Sequence, residues 1–438
     1  MAIKKDAGDK AQAPIQPQDT EFSTDASHSQ HPDLGSDPLF RRILGTSVTR
    51  RSLLRVAGLA ALGSAIPPVH ALPKTFDPVV RIGYIPITDA AALLIAHAKG
   101  FLKQHGLDST RPTLIRGWSP LIEAFTAHRF NLTHLLIPIP IWMRYSNGYP
   151  VKITAWDHTN GSAITVGEHS GINSFKDFGG KQFAMPFWYS IHNIISQLEL
   201  KKHGITPVIR PQTAHLAPDE CNLLVLAPPD MPPALAARKI DAYCVAEPFN
   251  ALGELKAGGK ILRFTGDIWK GHPCCVVCMH EADTVDPERA AWTQAVNDAI
   301  VQAQIYLDAH RKESAHLLSR DGQGYLPFPA KVVERAMLFY NPAYYREAIQ
   351  NPQWHEDRIN FDGWPYPSAM KHVTSVQKHT LVTGDTGFLN KLTPDFVAKD
   401  LVNYEFVKRS LEKYPAWKKD PSVSRGPSPY SRVEVIDL

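Results

Sequence analysis

Between Arg238 and Val277 the chain alternates short apolar runs with turns and helical stretches, a pattern that few architectures accommodate. R-K-I-D-A-Y-C-V-A-E-P-F-N reads as a helix end, an apolar strand over 242–245 and a turn broken by Pro248. A helix then runs to Gly258-Gly259, a second strand covers 260–264, and a polar turn carries Trp269, Lys270 and His272. Strand, helix, strand in this order belongs to an open α/β sheet, and such sheets place ligands at strand ends, where the backbone is unpaired and faces a crevice. The stretch is therefore expected to return the chain between two α/β lobes.

The upstream sequence supplies the other units of those lobes. V-V-R-I-G-Y-I-P (79–86) is a buried-strand pattern, and Thr88-Asp89 supplies an N-cap signal for an apolar helix through His97 that stops at Gly100. T-L-I-R-G-W-S-P follows, with Gly117-Trp118 at the strand end and Ser119-Pro120 opening a helix. Phe130 to Pro140 reads as the third strand and Val151 to Trp156 as the fourth. Asn160-Gly161 marks a turn, after which a second lobe begins with S-A-I-T-V (162–166). Further strands are expected at 181–187 and 221–226, with helices from Ser190 to Lys202 and over 230–238. Pro287 to His310 reads as a long helix, and the remainder as helical without a clear strand.

The chain of 438 residues, 44% hydrophobic and 21% charged, has material for two domains of about 100–200 residues each. Its net charge of +4 is small, and the absence of a long basic block argues against nucleic acid or a membrane surface as partner. Residues 1–46 are polar and Pro-rich, a composition that does not bury enough surface to offset the entropy of ordering. Arg50-Arg51 then precedes a short apolar run, Val56 to Ile66, and the small-residue ending Val69-His70-Ala71. This is the pattern of a twin-arginine export signal, with a run too short to span a bilayer. The first cysteine is Cys221, so no lipid-anchoring Cys follows the signal and the mature chain is expected to start near Leu72 in the periplasm.

R-I-G-Y-I-P-I-T-D-A, G-W-S, N-G-S-A-I-T, H-N at 192–193, D-M-P-P-A-L-A-A, C-V-A-E-P-F-N and I-W-K-G-H-P, taken in order, are similar to the periplasmic solute-binding proteins of nitrate, sulfonate, taurine and bicarbonate ABC transporters. The resemblance is nearest to the nitrate-binding branch, covers most of 79–375 and includes W-P-Y-P at 364–367. It implies the α/β, two-lobe periplasmic binding protein fold (type II), each lobe a mostly parallel sheet flanked by helices, with the ligand in the interlobe cleft. It also implies no enzymatic activity, and capture of a small anion for delivery to a membrane permease. The expected division is 1–71 for the leader, 72–159 for the first part of lobe I, 160–248 for lobe II, and 249–438 for the return of lobe I with a helical C-terminal region. The protein is expected to act as a monomer without cofactor.

Under that resemblance the anion contacts are Thr88, Trp118, Gly161, Ser162, His192 and Lys270. A Trp at a strand-to-helix turn is either a core residue or a neutral N–H donor to an anion. A His in the first turn of a helix points its donors with the free backbone N–H groups there. Lys270 is either a surface lysine or the counter-charge. The relatives carry a long amide where this chain has Ser162, which opens room in the pocket. Glu247 reads as a hinge or helix-start residue.

His272, Cys274, Cys275, Cys278 and His280 form a dense run of soft donors. Strand alternation would separate Cys275 from Cys274 and Cys278, so structural thiols or a disulfide are expected, and no metal site. With five cysteines at least one thiol stays free within a monomer. C-C-V-V-C also resembles, with one Cys fewer, the iron motif of pyrimidine-forming enzymes of thiamine biosynthesis on the same fold. The export signal weighs against that reading and against a cytoplasmic nitrate sensor, leaving sulfonate or taurine binding as the alternative to nitrate, nitrite or bicarbonate.

Overall fold

The computed structural model describes residues 76–354, 357–415, 417 and 428–437. The chain divides into two compact units, Met1–Ala71 and Leu72–Leu438, and every described residue belongs to the second. The expected twin-arginine signal lies outside the described residues.

The first lobe opens with β1 (Ile82–Tyr84), α1 (Ala91–Ala98), β2 (Thr113–Leu114), α2 (Trp118–Thr126), β3 (Leu132–Leu136), α3 (Pro138–Tyr145) and β4 (Val151–Trp156). A two-residue strand, β5 (Thr159–Asn160), leads into the second lobe: β6 (Ser162–Gly167), β7 (Gln182–Met185), α4 (Ile191–Lys202), β8 (Thr206–Val208), β9 (Glu220–Val225), β10 (Ala242–Ala246), α5 (Phe249–Lys256) and β11 (Gly259–Phe264). The chain then returns through β12 (Cys275–His280) and α6 (Ala290–Ala309), and a late strand, β13 (Ile359–Asn360), pairs with β5. The five-stranded sheet of the first lobe has the order β2-β1-β3-β12-β4, and the six-stranded sheet of the second has the order β11-β6-β10-β7-β9-β8. In each, one strand runs against the rest: β12 in the first and β6 in the second.

Local sequence accounts for most of these bounds. β4 closes the first sheet beside β12, and all of its residues but Lys152 are buried. α4 starts where Ser190 accepts the Asn193 N–H at 3.0 Å, a side-chain N-cap. The third strand is shorter than expected, ending at Leu136, because Pro138 and Pro140 do not continue a ladder and Pro138 sits in the first turn of α3. Thr88 and Asp89 do not cap α1. They form a short 3-10 turn, and the Thr88 hydroxyl donates to the Glu247 carbonyl at 3.2 Å instead.

The return crossing also lies later than expected. β11, assigned from sequence to the returning first lobe, pairs along β6 as an edge strand of the second sheet, so the chain crosses after Phe264 and not after residue 248. Nothing in an apolar run states which sheet it joins; the antiparallel register with β6 decides it. Three passes between lobes lie side by side. Asp157 N–H donates to the Cys275 carbonyl (3.0 Å), Asn160 N–H to that of His272 (3.0 Å), and Gly161 N–H to that of Arg358 (2.9 Å). Gly161 has φ +75°, and a Cβ there would lie 3.0 Å from Ile359, so the crossing needs a glycine on both counts.

Candidate functional site

Because β12 runs antiparallel to β3 and β4, its first residues share a sheet edge with the last residues of β1, β3 and β4. That edge carries Asp89 after β1, His134 in β3, Asp157 and His158 after β4, and Cys274 and Cys275 at the start of β12, all fully buried. The second lobe contributes Ser162, at the start of β6, and His192, in the first turn of α4.

The contacts converge on one carboxylate oxygen. Asp89 Oδ2 lies 2.8 Å from His158 Nε2, 3.4 Å from Cys274 Sγ and 3.3 Å from Cys275 Sγ. The Cys275 N–H also reaches His158 Nε2, at 3.2 Å. Ser162 Oγ is 2.9 Å from His192 Nε2, and both touch Cys274 Sγ, at 3.7 and 3.8 Å. The lobes thus meet across a sulfur.

Burial dominates the electrostatics. It pushes the Asp89 carboxyl up to about 7, against the pull of His158, and raises Asp157 well above the carboxylate range. It pushes His134 down to about 3 and His272 to about 4. Burial also works against a charged His158, but the Asp89 carboxylate outweighs it and raises the imidazole. Burial raises the Cys275 thiol, with Cys274 and Asp89 adding to the effect.

Several polar atoms here have no partner among the described residues: Asp89 Oδ1, both Asp157 carboxyl oxygens, Trp118 Nε1, and Nδ1 of His134, His158 and His192. Each such group, left unmatched and dry, costs about 1–3 kcal/mol. Concentrated at one edge, they mark a place built to receive something.

Of the residues singled out from sequence, the structure brings Ser162 and His192 into this cluster, and sets Trp118 beside it, its ring 5.6 Å from that of His134. Thr88 and Gly161 are at the lobe junction but have their groups committed. The Thr88 N–H and hydroxyl both donate to the Glu247 carbonyl, while the Gly161 carbonyl accepts the Glu247 N–H at 2.8 Å. Lys270 does not join. Its N–H bonds the Val435 carbonyl, its side chain is half-buried, and Trp269 beside it is held by Glu434 at 2.7 Å. The C-terminal segment covers this turn, a pairing no local pattern announces. Glu247 is a helix-start residue: its Oε2 accepts the Ala251 N–H at 3.0 Å, and Arg358 holds its other oxygen.

The cysteines depart from expectation. All five are free thiols, and Cys274 and Cys275 point to the same carboxylate oxygen. Alternation fails to separate them because the strand begins only at Cys275, leaving Cys274 in the preceding turn. Asp89, His134, Asp157 and His158 were not identified from sequence as site residues. The signal was present at W-D-H (156–158), where charge follows directly on an apolar strand, and at Asp89, whose carboxylate was read as a cap.

The family model described as the NMT1-like family matches residues 74–319. The nitrate/nitrite binding protein NrtA of Nostoc sp. is 28% identical over 285 residues, which is 60% of this chain and 62% of that protein. The bicarbonate transport ATP-binding protein CmpC of Synechocystis sp. is 26% identical over 219 residues, 46% of this chain and 31% of that one. The chain thus spans less than two thirds of either relative. In structure it is similar to the periplasmic nitrate-binding protein NrtA of Synechocystis, with a TM-score of 0.64 and 19% identity, over 82% of this chain and 94% of the other. The chain belongs to the NMT1-like family and has the fold of the periplasmic solute-binding proteins.

Proposed function

We propose that this chain is the solute-binding component of an ABC importer that captures a small oxoanion, of the size of nitrate, nitrite or bicarbonate, and hands it to a membrane permease. It does so as a periplasmic monomer exported by the twin-arginine route, and without catalysis. The observation that carries the reading is that buried donors without a partner come from both lobes, the Trp118 indole N–H from the first and His192 Nδ1 from the second. Neutral N–H groups suit a small anion because desolvating them costs less than desolvating a charge. The names of the similar proteins, nitrate/nitrite binding for one and bicarbonate transport for another, support the same solute class.

Enclosure favours a solute of few atoms over an alkyl sulfonate. Thr88, Trp118, Ser162 and His192 are each at most 3% exposed, which leaves no open mouth for a tail. Calorimetric titration with nitrate, nitrite, bicarbonate and taurine tests the proposal, run beside the Trp118→Phe variant. A small oxoanion should bind, and loss of the indole donor should weaken it about tenfold, as expected for one hydrogen bond to a charged ligand. Binding of taurine alone, or of none of the four, overturns the reading.

A further inference from the structure

Asp89, His158, Cys274 and Cys275 each bring one potential ligand atom to within 4.8 Å of the others. All four side chains are fully buried. Two thiols, an imidazole and a carboxylate are the donor set of a four-coordinate site for a borderline or soft cation, and the sulfurs disfavour calcium and magnesium. The atoms also converge: Asp89 Oδ2 lies 2.8 Å from His158 Nε2, 3.4 Å from Cys274 Sγ and 3.3 Å from Cys275 Sγ, although the residues come from three separate segments. A carboxylate, an imidazole and two thiols gathered in a dry interior are an expensive arrangement for a core, and an ordinary one for a metal site.

We propose that Asp89, His158, Cys274 and Cys275 form a binding site for a divalent first-row transition metal, zinc before iron(II). As a sulfur takes the metal, any thiol proton it carries leaves to solvent, and the metal takes the place of the contacts that now join the sulfurs to Asp89 Oδ2. Cys278 is not a member: it lies further along β12, outside the four-residue group. The third thiol of the C-C-V-V-C run is thereby separated from the pair.

All four ligands belong to the first lobe, at the ends of β1 and β4 and the start of β12. The site therefore does not need the lobes to be together, and a metal can enter when they part. Its filling would fix three strand ends against one another. It would also fix Cys274, the sulfur that Ser162 and His192 of the second lobe touch. The metal is thus a neighbour of the solute position, and its presence does not depend on which solute binds.

The test uses the full-length protein purified under reducing conditions without chelator. Elemental analysis should find about one transition-metal ion per chain. After chelator treatment, Co²⁺ should restore intense tetrahedral d–d bands and sulfur-to-cobalt charge-transfer absorption. Cys274→Ser and Cys275→Ser should each remove or strongly reduce the charge-transfer bands, and Asp89→Asn should weaken Co²⁺ binding at least about tenfold. Cys278→Ser should leave the spectrum intact. If the cysteine variants do not fold, as judged by circular dichroism, the Asp89→Asn titration decides alone. Absence of both bound metal and thiolate bands, a spectrum unchanged in both cysteine variants, or Co²⁺ affinity unchanged by Asp89→Asn would overturn the proposal.

Discussion

Lys270 and Cys275 stand five positions apart, yet only the second reaches the buried edge. The Lys270 N–H is bonded to the Val435 carbonyl of the C-terminal segment, and on the proposed reading neutral donors, not an ammonium, meet the anion at His192. Lys270→Ala should therefore leave solute affinity within about twofold, whereas His192→Ala should lower it about 10- to 100-fold. Calorimetry on the two variants separates them, and a large loss in Lys270→Ala would mean that the turn rearranges to bring the ammonium in. The contrast also shows what a residue reveals in sequence. His192 could be found from its place in the first turn of a helix together with the resemblance to the solute-binding proteins, and Ser162 from that resemblance alone. Asp89, His158 and Cys274 come from segments more than sixty positions apart, and only the strand order β1-β3-β12-β4 brings them together.

At the scale of elements, legibility follows burial. β4 and β6 were recognisable because half of each six-residue run is β-branched and nearly all of it is buried. β2 is two exposed residues and β8 is an exposed edge, so neither carries a hydrophobic signal strong enough to assign its full extent. The C-terminal region attaches to the first lobe through buried apolar side chains, Val397, Leu401 and Val407 among them, and through an ionic cluster. Arg144 of α3 holds Asp400, the last residue of the helix α7 (Pro394–Asp400), through Nε at 2.6 Å and Nη2 at 3.1 Å, and reaches Glu281 at 2.9 Å. Burial raises Asp400, but the bonds from Arg144 and Tyr145 carry it below the usual carboxylate range; the Arg144 hydrogen bond does the same to Glu281. A carboxylate with a depressed folded-state pKa stabilises above its unfolded value of about 4 and loses that contribution as pH falls through the folded value. Arg144→Met should melt several degrees below the parent protein at pH 7. The gap should narrow as pH drops below the carboxylate range. A gap independent of pH in calorimetric melts would show that the lost stability is packing and not charge.

At the scale of the whole second unit, the question is how a solute enters an edge whose side chains are all buried. Three of the passes between the lobes, at 157–161, at 265–274 and at Arg358–Asn360, are hydrogen-bonded to one another into a narrow ribbon. A ribbon of this kind can bend as a unit because few φ/ψ angles need to change, and Asn160 (φ +59°) and Gly161 (φ +75°) already sit in the left-handed region at its centre. Two lobes were legible from the recurring strand and helix units, but the ribbon was not, because its pairing rests on backbone groups and carries no side-chain pattern. In the arrangement described here the lobes touch through contacts such as Thr88 N–H to the Glu247 carbonyl at 2.8 Å and Cys274 Sγ to His192 Nε2 at 3.8 Å. On the proposed reading, the unmatched Trp118 and His192 nitrogens oppose closure in the absence of solute, and water entering an open cleft would satisfy them. The ligand-free protein should therefore show a larger radius of gyration in solution scattering than the solute-saturated protein, and its tryptophan fluorescence should change on titration. Gly161→Ala should keep the open form accessible while raising the free energy of the closed one, since a Cβ in the left-handed region costs about 1 kcal/mol and meets Ile359. Its affinity should drop several-fold through a faster release rate, measured by stopped-flow. Scattering curves that are identical with and without a tightly bound solute would rule out the two-lobe clamp.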